Sequence, residues 1–156
     1  MEGEEVFPAF PAVLSPPEPV ISKLAKSSGR RTSLAEWIGS KDNPISARVM
    51  VNRIWQYHFG RGIVESSSDF GFQGTPPTHP KLLDWLAIQF MESGWNIKDM
   101  HRLIMYSEAY KRSSKPNDLA LQKDPLNQSL WRYDMRRLTS EEVRDAVLAA
   151  LSLIHI

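Results

Sequence analysis

Between Ser33 and Ala150, apolar residues return every three or four positions in five separate runs, the spacing of helices with one face turned inward. No run has the period-two alternation of a strand, and no segment repeats. The longest run is the most telling. Asn43 supplies an N-cap, Pro44 suits a first turn, and Gly60 or Gly62 ends the helix. Tyr57, Met50, Ile54, Ala47, Val51 and Trp55 cover nearly half its circumference, while Ile45, Val49 and Phe59 lie on the other side. A helix apolar on almost every side is expected to be buried, with other elements packed around it.

The other runs carry their own start and stop signals. Ser33 and Glu36 form a capping-box pattern ahead of Trp37 and Ile38, closed by Gly39. Thr78-His79-Pro80 opens a helix with Leu82, Leu86 and Phe90 on one line and Trp85 beside them, stopped by Gly94. Asn96 caps the next, whose stripe is Ile97, Met100, Leu103 and Ile104. Thr139 and Glu142 frame a last capping box, and Val143, Ala146, Val147 and Ala150 form the expected buried face. The fold class is all-α: about five helices around a buried central helix at about 44–59.

Irregular segments separate these helices. Residues 1–31 read as an extended linker, holding Pro8, Pro11, Pro16, Pro17 and Pro19 and then a basic Ser/Gly stretch. Phe7, Phe10, Val13 and Leu14 are too apolar for a free tail and are expected against a neighbouring surface. Glu65 to Pro77 is a loop of Ser, Gly, Asp and Pro; 111–127 is a polar loop with a turn around Asp118 to Leu121, after which Leu130 and Trp131 are expected to dock on the core. The organisation expected is a linker over 1–31, a helical domain over 32–150 and a separate tail over 151–156.

Composition adds constraints. Hydrophobic content of 42% and charged content of 24% are those of a globular protein, and five Trp, six Phe and six Met point to a core of large side chains. A net charge of +1 gives no pull towards nucleic acid or membrane surfaces. The absence of cysteine removes disulfides and thiolate metal sites. No apolar run approaches the roughly 18 residues of a membrane span, and no signal-peptide core is visible.

Candidate chemistry centres on one row. Arg48, Asn52 and Gln56 stack at i, i+4 and i+8 on the otherwise apolar helix. An arginine there can grip a carboxylate, phosphate or sugar, or pair with an internal acid such as Asp69 or Asp145 and tie a loop to the helix; the internal pair is favoured. His58, Asp69 and His79 complete the candidate ligand-binding set. His58, His79 and His101, with Asp69 or Asp84, are the groups a metal would need, but none has the i, i+4 spacing of a helical metal motif, so no metal site is expected. Arg132, Arg136 and Arg137 interleave with Trp131 and Tyr133, yet Asp134, Glu141, Glu142 and Asp145 surround them and predict salt bridges rather than a nucleic-acid surface. Ser66-Ser67-Ser68 lacks a nucleophile elbow, and Asp69-Phe70-Gly71 lacks the companion motifs of a kinase.

Several motifs occur in one order: Asn43-Pro44 through Val64, Ser68-Asp-Phe-Gly71 with Pro76-Pro-Thr-His-Pro80, Gly94-Trp95 with His101-Arg-Leu-Ile104, and Arg136-Arg-Leu138 with Arg144-Asp145. From about Val6 to Ala150 the chain closely resembles the bacterial family called domain of unknown function 1553. The resemblance implies the C-terminal part of a larger exported protein, periplasmic or extracellular, with upstream domains as its partners and often a c-type haem domain among them. No haem attachment motif lies in this chain, so no cofactor is expected in it. Tyr57 stands where the family often has a second histidine, and Leu151 to Ile156 depart from the family pattern as an adapter-derived tail would. The function expected is a helical binding or scaffolding module without an assignable activity. The alternative is a ligand-binding or catalytic part of a redox or polysaccharide-acting enzyme, with its site between the 65–79 loop and the central helix.

Overall fold

The computed structural model describes residues 6–23 and 26–151. The expected tail lies outside the described residues apart from Leu151. Six α-helices and no strand occur among the described residues: α1 (Arg30–Ile38), α2 (Ser46–Phe59), α3 (Pro80–Glu92), α4 (Ile97–Met105), α5 (Asp118–Lys123) and α6 (Ser140–Ala150). The all-α class is therefore observed. The chain divides into two compact units, one up to Ile104 and one from Met105 onward.

In the first unit, residues 6–23 run without regular structure except for one 3-10 turn at Ala12–Leu14. Phe10 stacks on Trp37 of α1 with ring centroids 4.6 Å apart, whereas Phe7 and Val13 stay exposed. α1 starts at Arg30, three residues before the expected capping box, with Gly29 as its N-cap at φ 75°. A Cβ on Gly29 would meet the Ser22 carbonyl oxygen at 2.0 Å, so the close pass of the preceding chain fixes the helix start there. Ser33 is consequently inside the helix and buried, not at its cap.

α2 begins after an Asn43-led turn: the Asn43 side-chain oxygen accepts from the amides of Ile45 (3.0 Å) and Ser46 (3.2 Å). Gly60, at φ 81°, closes it by donating to the Gln56 carbonyl. The helix is central but buried along one face only. Ala47, Val51, Asn52, Ile54, Trp55 and Phe59 are buried, while Met50, Arg53 and Tyr57 form an outward stripe. These three are spaced i, i+3, i+7, so one polar-edged row suffices to turn that side to solvent.

α3 is the principal packing partner of α2. Its buried face is Leu83, Leu86, Ala87 and Phe90: Leu86 and Phe90 of the expected line are buried, Leu82 is only half-buried, and Trp85 is 47% exposed. Trp85 sits about 150° round the helix from the middle of that face. Ile63, Val64, Met100 and Ile104 complete the core, with Trp55 stacked on Phe59 at 4.2 Å. Gly94 (φ 71°) and Trp95 (φ 62°) reverse the chain after α3, and Asn96 caps α4 through its side-chain oxygen to the amides of Lys98 and Asp99.

The second unit is built on side chain-to-backbone ties. Asn117 caps α5, where a turn had been expected. Asp124 accepts from the amides of Gln128 (2.9 Å) and Ser129 (2.7 Å), and its carbonyl accepts from the Trp131 indole (2.9 Å). Asn127, buried at φ 51°, donates to the Arg132 carbonyl and accepts from the Arg132 amide. The Thr139–Glu142 capping box opens α6. No α6 residue is buried, so the expected inward face is exposed, with Val143 and Val147 about half accessible.

Candidate functional site

The three residues of the polar row each tie α2 to something different. Asn52 is wholly buried and clamps Val64: its Nδ2 donates to the Val64 carbonyl at 2.9 Å, and the Val64 amide donates to its Oδ1 at 2.8 Å. A single primary amide thus replaces a two-bond strand pairing and satisfies both backbone groups of a buried residue. The approach is so close that a Cβ on Gly62 would lie 2.6 Å from Asn52 Nδ2 and 2.4 Å from the Val64 carbonyl oxygen. One turn on, Gln56 Oε1 accepts from the Ser67 hydroxyl at 2.8 Å. Asn52 and Gln56 therefore fasten the start of the 65–77 loop to the helix.

Arg48 differs from both. Its Nε donates to Asp84 Oδ1 on α3 at 2.7 Å, and its Nη1 donates to the Pro44 carbonyl. The partner is neither Asp69 nor Asp145. Asp145 pairs with its neighbour Arg144, and Asp69 turns its Oδ1 back to the Gly71 amide at 2.8 Å. Nor is the pair buried: the Arg48 and Asp84 side chains are 37% and 50% accessible.

The loop itself is closed and cross-tied. Thr78 returns to the Ile63 carbonyl through its amide (2.9 Å) and hydroxyl (3.2 Å). Higher up, the Ser66 amide donates to Thr75 Oγ1 (3.0 Å) and the Thr75 amide donates to Ser66 Oγ (2.8 Å). Ser66 Oγ also donates to the Asp69 carbonyl at 2.7 Å. Pro76 and Pro77 then fix the descending limb.

Beneath this loop is a cavity of about 480 Å³ whose walls include Phe70, Phe72, Pro76 and Pro77 and whose charged lining residues, among those described, are Arg48 and Asp84. A volume in this range suits a small organic ligand. Of the six candidate residues, Arg48 alone lines it. Asn52, Gln56 and Asp69 are engaged as described. His79 stands at the head of α3 with Nδ1 3.0 Å from Thr78 Oγ1, but its side chain does not cap the helix.

His58 faces away from this cleft's lining and meets His101 of α4. The His58 Nε2 and His101 Nδ1 atoms are 2.8 Å apart, one ring donating and the other accepting. The pair links the last turn of α2 to α4. Among the described residues, no three His, Asp or Glu side chains gather as a metal site.

The aromatic walls were absent from the sequence-based candidates. Phe70 and Phe72 are two large apolar side chains in a Gly/Pro loop with no helix to bury them; that was the available signal, and Phe72 is fully exposed. Asp84 was a candidate only as a metal carboxylate, and its pairing with Arg48 was hidden because it depends on α2 and α3 lying side by side.

Of the clustered arginines, Arg132 and Arg136 are paired with the acids around them as expected, whereas Arg137 forms no ion pair among the described residues. Arg132 meets Asp134 at 3.0 Å and also lies over the Trp131 ring at 4.8 Å. Arg136 holds Glu142 through both guanidinium nitrogens, at 2.6 and 2.9 Å. This bidentate contact, with the Thr139 amide, holds the Glu142 carboxyl down to about 2.

These features define a helical chain with a loop-covered cleft and, among the described residues, no group of three His, Asp or Glu side chains that could hold a metal. Residues 30–155 match the family PSD1, proteins of unknown function (DUF1553), and the chain belongs to that family. No curated protein and no solved structure matches the chain. Among the described residues no helix is long and apolar enough to cross a membrane.

Proposed function

We propose that this chain is a non-catalytic binding module that uses the cleft under the 65–77 loop, as part of a larger exported protein. The observation that carries this is the division of the polar row. Asn52 and Gln56 are engaged in holding the loop, whereas Arg48 and Asp84 remain half-accessible on the cleft wall. Rigid walls around one ion pair favour holding a ligand over transforming it. A glycosidase-type site needs two carboxyl groups flanking the bond, and Asp84 is the single carboxylate lining this cleft among the described residues.

A thermal-shift screen of the chain against small neutral, anionic and peptide compounds tests the proposal. The expected result is at least one stabilising ligand whose effect disappears in Arg48→Met, with no product formed on long incubation. Conversion of that ligand by the purified chain would show catalysis instead. The exported parent is tested by reading the gene on both sides of this coding segment for a leader and further domains; a cytoplasmic parent lacking both would overturn it.

A further inference from the structure

The chemistry of the cleft narrows its ligand. Arg48 uses Nε and one bond of Nη1, and Asp84 uses Oδ1; among the described residues Nη2 and Oδ2 have no hydrogen-bond partner. A free donor edge and a free acceptor edge therefore remain on the charged pair of the cleft wall. Opposite charges cancel there, and among the described residues no other charged side chain lines it, which disfavours a strongly ionic ligand. A group that both donates and accepts satisfies the pair, and a hydroxyl does both. A peptide backbone also offers a donor and an acceptor, so the apolar wall has to decide between the two.

The walls add a second requirement. Phe72 shows its whole ring to solvent from a loop pinned at Ile63–Thr78 and again at Ser66–Thr75. An exposed aromatic ring on a cross-tied backbone presents a flat apolar platform, with the backbone part of the ordering cost already met. The matching ligand has a flat C–H face and a rim of hydroxyls. We propose that the cleft takes a neutral saccharide, with a pyranose ring against Phe72 and hydroxyls on the open edges of the Arg48–Asp84 pair; this rests on the binding-module reading.

Saturation-transfer NMR on the full chain tests it, using methyl glycosides of glucose, galactose, mannose and xylose and their disaccharides. Short neutral peptides and simple carboxylates are run alongside. At least one glycoside is expected to receive saturation, strongest on its ring C–H protons. In Phe72→Ala its affinity should fall about fivefold or more with the melting temperature unchanged, since the ring is fully exposed. Asp84→Asn, which keeps shape but removes the charge, should weaken the same glycoside. Saturation that survives Phe72→Ala overturns the proposal. Arg48-dependent binding of peptides or carboxylates, with none of glycosides, overturns the saccharide and leaves the binding module standing. Silence from all three classes overturns both.

Discussion

Asn52 and Arg48 stand one helical turn apart and carry opposite roles, and burial decides which is which. Asn52 is inaccessible and completes the hydrogen bonding of Val64, itself buried. Replacing it by leucine keeps the volume but strands an amide and a carbonyl in the core, each costing about 1–3 kcal/mol. Asn52→Leu is therefore expected to lower stability by about 2–4 kcal/mol. Arg48 loses a half-exposed ion pair, a type of contact contributing about 0–1 kcal/mol. Arg48→Met should melt within a few degrees of the parent. Thermal melts of the two variants side by side check the contrast, and equal losses would mean that the row is one structural unit. The row was legible as a row from its i, i+4 spacing. Its division was not, because Asp84 lies 36 residues from Arg48 and Val64 is reached only after the chain turns at Gly60 and Gly62.

At the scale of elements, what could be read ahead was the chemistry that closes within a few residues. Gly60, Asn96 and the Thr139–Glu142 box act where their type and position predict, whereas Asn43 works from the turn ahead of α2, whose N-cap position falls on Ile45. Ser33 shows the limit: its spacing to Glu36 is right, but the chain passing Gly29 starts the helix one turn sooner. Facing was harder still. Trp85, Val143 and Val147 are apolar residues at helical spacing, and each points outward because the periodicity names a stripe without naming what covers it. The α6 box also yields a pH prediction. Glu142 is held at about 2 in the folded chain, below its ordinary 4.5, chiefly by hydrogen bonding to Arg136. Its folded value is depressed, so its contribution is fully present above pH 4.5 and is lost as the pH falls towards 2. A carboxyl-carbon NMR titration should find the Glu142 midpoint near 2 in the native chain and raised towards the ordinary range in Arg136→Met, where the Thr139 amide still holds it down. An ordinary midpoint in the parent would mean that the Arg136 contact does not persist in solution.

At the scale of the molecule, burial is concentrated in one place. Every buried apolar side chain of the described residues lies between Ala47 and Ile104, on α2, α3, α4 and the Ile63–Val64 segment. The segment from Val6 to Val20 keeps Val6, Phe7, Val13 and Val20 largely exposed, and α6 buries nothing. Hydrophobic burial is the main source of resistance to opening, so stability should be graded along the chain. Amide exchange followed by mass spectrometry is expected to give the slowest exchange in α2 and α3, with Val51, Leu86 and Phe90 in the most protected peptides. α6 should exchange faster by orders of magnitude despite its complete capping box, because a cap adds about 1 kcal/mol whereas a packed face adds several. The loop over the cleft makes the sharper case. Residues 65–77 have no helix, yet Ser66, Asp69 and Thr75 hold one another, Gly74 donates to the Gly71 carbonyl, and Thr78 closes the base. Amides of Ser66, Gly74 and Thr75 should therefore be protected above those of α6. If the loop exchanges as fast as the residues before Val20, the cleft is not pre-set, and its walls would form only around a ligand.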